Sequence, residues 1–258
     1  LASGEVIFVD QSFCHSIQTH TSRFYSLSLF YSVDSTGDCP QNLLVKVTRD
    51  DGHLLGHKEY SFHQLTKDHN KVQILTACLA SEQCLNTNQF VFLLLDCRKT
   101  HIGPNSLWPN MASQDQCEQA VRALASLHAI FWNKTDEFRV TQNTENLESP
   151  SFDELLNGLP QFLRRSSTVI PTSEIKFYTE TIDYLQSTSA SESRRKTPTT
   201  LLHGDAHLWN FLFPLGKQNE TAVLIDWQLW AIGNPANDLA YMITLHCGSK
   251  ERAQSERA

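Results

Sequence analysis

The sequence has 258 residues, of which 40% are hydrophobic and 19% are charged, with a formal net charge of −7. This is the composition of a soluble globular protein with one large domain or two lobes. Its acidic balance argues against a nucleic-acid partner, and its apolar runs are far shorter than the roughly 18 residues that span a bilayer. The seven cysteines form no C-x-x-C pair, which favours free thiols and a cytoplasmic location.

The first third of the chain is rich in strand-forming residues. Partial alternation of apolar and polar residues predicts a five-stranded antiparallel sheet. The predicted strands are residues 5–10, 24–33, 43–47, 72–80 and 89–95. Between the third and the fourth, residues 51–67 predict a helix, because Phe62 and Leu65 follow Glu59 at helical spacing.

A lysine, Lys46, lies within the apolar third strand. One interpretation is an edge-strand lysine that points to water. The other is a lysine that holds nucleotide phosphates and pairs with a helix glutamate, here Glu59, as in kinases. The motifs near the C-terminus, described below, favour the second interpretation.

The remainder of the chain is predicted to be mainly helical, which gives an α+β fold. Ser113 is the expected cap of a helix that extends to His128. Two further helices are predicted at residues 150–166, with an interruption at Pro160, and at 172–187. Residues 187–200 are polar and predict a surface loop, and residues 236–247 predict a last helix.

The most informative stretch contains His203, Asp205, Asn210, Asp226 and Asp238 between short apolar runs. The spacing H-x-D-x-x-x-x-N is that of a kinase catalytic loop, in which the aspartate accepts the acceptor proton and the asparagine holds a metal. Strands are predicted at residues 201–202, 211–213 and 222–225. Two carboxylates and an amide therefore follow strand ends, where they suit magnesium and a phosphoryl acceptor.

Together these motifs resemble those of the aminoglycoside phosphotransferase and choline kinase-like superfamily, and most of all its ecdysteroid kinase-like branch. The resemblance rests on His203-Gly204-Asp205 with Asn210, on residues 225–228 (IDWQ) and on residues 237–241 (NDLAY). It implies a two-lobed protein-kinase-like fold. The implied lobes are residues 1–95, which bind the nucleotide, and residues 96–258, which carry the catalytic loop, the metal site and the acceptor pocket.

The resemblance also implies a role for each motif residue, with ATP and Mg²⁺ as cofactors. Asp205 is the implied catalytic base, Asn210 and Asp226 are the implied metal ligands, and His203 and Asp238 are the implied structural supports. The implied nucleotide-binding residues are Lys46, Glu59, Ser22, Asp96 and Cys97. The loop over the phosphates departs from the kinase pattern, because residues 11–23 contain no glycine.

The acceptor is expected to be the hydroxyl group of a small molecule. Position 204 is glycine where protein kinases have arginine, and only eleven residues separate Asp226 from Asp238, which leaves no room for an activation loop. Trp209 and Trp230 are candidate acceptor-pocket residues, because aromatic faces hold cations or flat apolar rings. A sterol-like alcohol and a choline-like amine both fit. The alternative function is a catalytically inactive, kinase-like binding module.

Overall fold

A computed structural model describes ten segments of the chain: residues 5–17, 19–37, 39–49, 53–67, 74–104, 113–136, 152–166, 171–192, 198–216 and 221–246. The chain divides into two compact units. The first unit contains Leu1–Gln142 and Pro198–Ala258, and the second contains Asn143–Thr197. Within the described segments, no helix is both long enough and apolar enough to cross a membrane.

The first unit begins with the predicted five-stranded antiparallel sheet, which is confirmed. Its strands are β1 (Val6–Phe13), β2 (Ser22–Tyr31), β3 (Asn42–Thr48), β4 (Cys78–Gln83) and β5 (Phe90–Leu95). They are arranged in the order β1-β2-β3-β5-β4, so β1 and β4 form the edges. A short 3-10 helix, His15–Ile17, connects β1 to β2.

The fourth strand begins later than the sequence predicts. Residues 72 and 73 lie outside the described segments, and the strand starts at Cys78 rather than among residues 72–77. Ile74 and Leu75 are instead buried in the main hydrophobic core. Leu75 bridges Leu224, and the Leu224 amide donates to the Ile74 carbonyl at 2.9 Å. These apolar residues therefore connect the N-terminal part of the unit to its C-terminal part.

Helix α1 (His53–Thr66) lies against the sheet and confirms the helix predicted there. Its Gly56 allows a close approach, since a Cβ at that position would lie 2.6 Å from Cγ2 of Thr48. On the other side, Phe62 stacks on Trp227 with ring centroids 4.0 Å apart. Helix α1 is thus packed between the sheet and the segment that follows Asp226.

Helix α2 (Gln114–Ile130) is capped by Ser113, as predicted. The Ser113 hydroxyl accepts from the Gln116 amide at 3.2 Å, and the Gln116 side chain accepts from the Ser113 amide at 3.2 Å. This reciprocal pair is a capping box, which satisfies two amides that a helix start leaves without partners. The buried face of α2 forms part of the main core through Ala120, Ala123, Leu124 and Leu127.

Small sheets support the motif-bearing loops. Strand β7 (Thr200–Leu202) pairs with β10 (Ala231–Gly233). Strand β8 (Phe211–Pro214) pairs with β6 (His101–Ile102) and with β9 (Val223–Leu224). The strands predicted at 201–202, 211–213 and 222–225 are therefore present, whereas β6 and β10 were not predicted. The last helix among the described residues of the unit is Ala236–His246.

The described residues of the second unit form helices α3 (Phe152–Ser166) and α4 (Thr172–Glu192), and the helix Ala236–His246 of the first unit is named α5. The predicted interruption at Pro160 is wrong, because α3 passes through it. Proline removes one backbone donor, and a helix can continue past it at a cost of about 3 kcal/mol. In this unit Phe162 makes an edge contact with Tyr178, with centroids 5.9 Å apart.

The surface loop predicted at residues 187–200 is also wrong in its first part. Helix α4 continues to Glu192, and residues 193–197 lie outside the described segments. Polar composition indicates exposure to solvent and does not by itself exclude a helix. The sequence Ser-Ala-Ser-Glu before that end contains two good helix formers, alanine and glutamate.

Candidate active site

Lys46 joins the sheet to the C-terminal part of the first unit. Its strand register places it opposite Phe24 on β2 and Phe92 on β5, on the face that α1 covers. Its Nζ lies 2.6 Å from Oε2 of Glu59 and 2.8 Å from Oδ1 of Asp226. Burial opposes the charge of Lys46, but the two carboxylates outweigh burial and raise its pKa. The lysine is therefore a buried cation shared by two acids.

Glu59 is itself tied to the segment after Asp226. Its side chain is buried, and Nε2 of Gln228 lies 3.5 Å from its Oε2. One residue earlier on α1, the Lys58 carbonyl accepts from the indole of Trp230 at 2.7 Å. These contacts fix α1 in the position that keeps Glu59 on Lys46. The ion pair expected between Lys46 and Glu59 is thus present and firmly held.

Asp238, at the start of α5, organises the loop that carries Asp205. Its Oδ2 accepts from the His203 amide at 2.8 Å and from Nε2 of His128 at 3.0 Å. Its Oδ1 accepts from the Gly204 amide at 3.0 Å. Since the carboxylate and His128 are both buried, Asp238 holds the start of the loop against α2 and α5.

His203 connects this loop to the segment before Asp226. Its Nε2 donates to the Ile225 carbonyl at 2.9 Å, and its Nδ1 accepts from the Asp205 amide at 3.3 Å. Burial lowers the pKa of His203. Its imidazole is therefore neutral and has one donor and one acceptor, each with a partner.

Gly204 is required by backbone geometry. Its φ of +79° lies in the left-handed region that glycine enters freely. A Cβ built on it would lie 1.9 Å from the Leu229 carbonyl oxygen. The position that the sequence singles out as different from protein kinases is therefore one that no side chain fits.

Asn210 is oriented by Asp205. Its Nδ2 donates to the Asp205 carbonyl at 2.8 Å and to Oδ2 of Asp205 at 3.1 Å. The backbone carbonyl of Asn210 accepts from the Ile225 amide at 3.0 Å, which holds the two candidate metal-binding segments together. Because the nitrogen of the Asn210 amide faces Asp205, its Oδ1 is directed away and receives no hydrogen bond from any described residue.

Asp226 offers the second oxygen. It adopts left-handed backbone angles, φ 66° and ψ 71°, which aspartate tolerates better than most residues. Its Oδ1 accepts from Lys46, its Oδ2 receives no hydrogen bond from a described residue, and 38% of its side chain is exposed. Two hard oxygens with few other protein ligands fit Mg²⁺, which takes further ligands from water and phosphate. The described residues contain no cluster of three or more His, Cys, Asp or Glu side chains arranged for a metal.

Three other residues predicted to bind nucleotide have different surroundings. Ser22 is fully buried on β2, and its hydroxyl has no partner among the described residues. Asp96 follows β5 and holds the guanidinium of Arg98, with Oδ2 to Nη2 at 2.6 Å. Arg98 also contacts Ser26 on β2. The Cys97 carbonyl accepts from the His101 amide at 2.8 Å. Their roles in nucleotide binding stay predictions.

The two candidate acceptor tryptophans lie in different environments. Trp230 is 1% exposed within the main core. Trp209 is 37% exposed, and its ring makes edge contacts with His207 and His246, with centroids 5.8 and 5.0 Å apart. Tyr241 is also exposed, and burial followed by the charge of Asp205 raises the pKa of its hydroxyl. Tyr241 therefore supplies aromatic surface beside Asp205, and Trp209 adjoins this site through His207.

Two contacts were not foreseen from the sequence. His207 places its Nε2 3.3 Å from Oδ2 of Asp205, and this hydrogen bond is the main reason that the pKa of Asp205 lies below its usual value. Gln228 reaches Glu59 across 169 positions of the chain. The spacing of His207 from Asp205, two residues within one loop, was a local signal for the first contact. No local signal exists for the second.

In this site a lysine on an antiparallel sheet contacts both a helix glutamate and an aspartate that follows a strand, and Asp238 holds the H-G-D loop in place. This is the arrangement of a kinase-like phosphotransferase. The model of the phosphotransferase enzyme family (APH) matches residues 35–257. The chain therefore belongs to this family. No curated protein matches it.

Solved structures agree with this fold. They include APH(2")-IIia in complex with GDP and kanamycin, at 15% identity and a TM-score of 0.56, covering 97% of this chain and 76% of that one. Wild-type aminoglycoside 2'-phosphotransferase-IIIa in its GDP complex has 16% identity and a TM-score of 0.55, covering 95% and 74%. The microcompartment-associated aminopropanol kinase has 16% identity and a TM-score of 0.51, and the match covers 91% of this chain and 69% of that one. At these identities the likeness confirms the predicted kinase-like α+β fold. The lobe boundary at residues 95 and 96 stays a prediction.

Proposed function

We propose that this chain is an ATP- and Mg²⁺-dependent phosphotransferase that phosphorylates a hydroxyl group of a small molecule. The observation that carries the proposal is the position of Lys46 between Glu59 and Asp226, at 2.6 and 2.8 Å. It joins a cation suited to nucleotide phosphates to a carboxylate suited to the metal that accompanies them. Membership of the phosphotransferase enzyme family supports the same reaction class.

In the proposed reaction, each residue has one task. Lys46 binds and neutralises nucleotide phosphates, and Glu59 keeps its ammonium in place. Oδ1 of Asn210 and Oδ2 of Asp226 would hold Mg²⁺, which would supply charge neutralisation of the transferring phosphoryl group. Asp205 orients the acceptor hydroxyl and takes its proton. The hydrogen bond from His207, which keeps the pKa of Asp205 low, supports its presence as a carboxylate at neutral pH.

The proposed acceptor is a hydroxylated molecule with an apolar face, as for the ecdysteroid kinase-like branch. Its support is the exposed aromatic ring of Tyr241 next to Asp205, together with the ring of Trp209, which contacts His207. Trp230 is left out of the proposed acceptor site, because it is buried. The structural neighbours are described with kanamycin or as an aminopropanol kinase, so cationic alcohols belong among the compounds to be tested.

The test pairs two substitutions with different expected defects. Asp205→Asn removes the base, so we expect turnover to fall by about 10²- to 10⁴-fold with nucleotide affinity little changed. Asp226→Ala should weaken magnesium-dependent nucleotide binding as well as turnover. Asp10→Asn, on the exposed edge strand β1, is the control. The assay measures ATP and GTP affinity with and without Mg²⁺, and ADP or GDP release with kanamycin, aminopropanol, choline and an ecdysteroid.

The same measurements address the inactive binding module. Its supporting observation is the loop between β1 and β2, which contains no glycine. If the wild-type chain binds nucleotide and an acceptor but releases no product with any compound, the inactive module is the better description. If Asp205→Asn retains normal turnover and Asp226→Ala leaves magnesium-dependent binding unchanged, the assignment of this site is wrong.

A further inference from the structure

His207 lies within the catalytic loop and is fixed by that loop's backbone. Its amide donates to the Asp205 carbonyl at 2.8 Å, and its carbonyl accepts from the Asn210 amide at 2.9 Å. These two bonds close a tight turn between the proposed base and the proposed metal ligand. As a result, the imidazole Nε2 lies 3.3 Å from Oδ2 of Asp205.

The surroundings of the ring determine which nitrogen carries the proton. A carboxylate oxygen only accepts hydrogen bonds, so Nε2 must be a donor to interact favourably with Asp205. Nε2 is also 3.3 Å from Nδ2 of Asn210, but both protons of that amide are directed to Asp205. Nδ1 of His207 is buried and has no partner among the described residues. A proton there would be a buried donor without an acceptor, which is costly.

The ring is also held from behind. It makes an edge contact with Trp209, whose ring in turn contacts His246 on α5. Nε2 of His246 accepts from the Leu208 amide at 3.0 Å, which fastens the same loop to the same helix. The imidazole of His207 is therefore a donor of fixed direction rather than a free side chain.

We propose that His207 is a positioning residue for phosphoryl transfer, and this rests on the function proposed above. Nε2 of His207 and Nδ2 of Asn210 converge on Oδ2 of Asp205, and the side chain of Tyr241 is also hydrogen-bonded to this carboxylate. Together these contacts fix the rotation of the carboxylate that meets the acceptor hydroxyl and receives its proton. The donor from His207 contributes to this without touching nucleotide or metal.

The chain permits a matched comparison of two amides. The side-chain nitrogen of glutamine reaches about as far as the Nε2 of histidine, whereas that of asparagine reaches only as far as Nδ1. His207→Asn should therefore lower kcat by about 10- to 100-fold, the scale expected when a reacting group is misplaced by about 1 Å. His207→Gln should restore kcat to within a few-fold of wild type. The KM for Mg-ATP should stay within about twofold in both variants, because the proposed nucleotide ligands are unchanged.

The experiment is run with Mg-ATP and the hydroxyl compound that gives the fastest ADP release, with Asp205→Asn measured beside both variants. The inference is supported if Asp205→Asn and His207→Asn both have a low kcat while His207→Gln has a kcat close to wild type. Equal kcat for the asparagine and glutamine variants, or a normal kcat for His207→Asn, overturns it while Asp205→Asn stays slow. An Asp205→Asn variant with normal turnover instead contradicts the proposed function.

Discussion

The buried carboxylate of Asp238 allows the bracing of the catalytic loop to be measured as stability. Asp238 is 2% exposed and accepts from three donors, the amides of His203 and Gly204 and Nε2 of His128. Asp238→Ala leaves all three donors without this acceptor, and of these the His203 amide and Nε2 of His128 are buried while the Gly204 amide is partly buried. A buried donor without a partner costs about 1–3 kcal/mol and a partly buried one costs less, so we expect a loss of about 3–7 kcal/mol in the free energy of unfolding.

Asp238→Asn gives a graded comparison. Its amide oxygen can replace Oδ2 and serve His203 and His128, but its amide nitrogen then faces the Gly204 amide, so two donors meet. One interaction is lost instead of three, and the expected loss is about 1–3 kcal/mol. The alanine loss approaches the total stability of an ordinary domain, about 5–15 kcal/mol. Asp238→Ala should therefore be only marginally folded.

The measurement is urea unfolding, with the midpoint compared at unchanged m-value. Asp10→Ala, on the exposed strand β1, is the matched control and should differ from wild type by less than about 0.5 kcal/mol. If the free energies of unfolding of Asp238→Ala and Asp238→Asn both stay within about 1 kcal/mol of wild type, the three hydrogen bonds do not stabilise the loop, and the prediction is wrong.

Three further predictions concern backbone, pH and metal. Gly204→Ala should lower the free energy of unfolding in urea by about 3–5 kcal/mol, because a left-handed alanine costs about 1–2 kcal/mol and its Cβ meets the Leu229 carbonyl. The control Gly103→Ala, with open space around its Cβ, should lower it by less than about 1 kcal/mol. Equal losses in the two variants would contradict the argument. Burial lowers the pKa of His63 to about 3. Between about pH 6.5 and 3 the unfolded chain therefore binds a proton that the folded chain does not, and the free energy of unfolding decreases as the pH is lowered. By pH 5 this loss of stability amounts to about 2 kcal/mol. His63→Gln should abolish the pH-dependent loss, whereas the control His20→Gln, at an exposed histidine, should retain it. Parallel pH profiles of stability for wild type and His63→Gln would contradict the prediction. In isothermal titration, Mg²⁺ should bind weakly without nucleotide and Zn²⁺ should not bind tightly; tight zinc binding would show a different site.

Local sequence patterns determined many of the helices, strands and motif positions of this protein. Ser113 comes just before the apolar pattern of α2, so the cap at this residue was predicted from the sequence. The strands around Lys46 followed from alternation of apolar residues, and the motif from His203 to Asn210 was read from its spacing. Each of these features depends on residues close together in the chain, where residue type and spacing define the local geometry.

The tertiary structure decided the features that depend on distant partners. Trp230 differs from Trp209 because α1 covers it and supplies the Lys58 carbonyl, 172 positions away. Lys46 meets Asp226 across 180 positions. Ile74 and Leu75, apolar enough to be read as strand, are drawn into the core beside Leu224 instead. Propensity gives an apolar residue a preference for burial but does not specify what covers it, so only the packing of α1 and the small sheets could assign these roles.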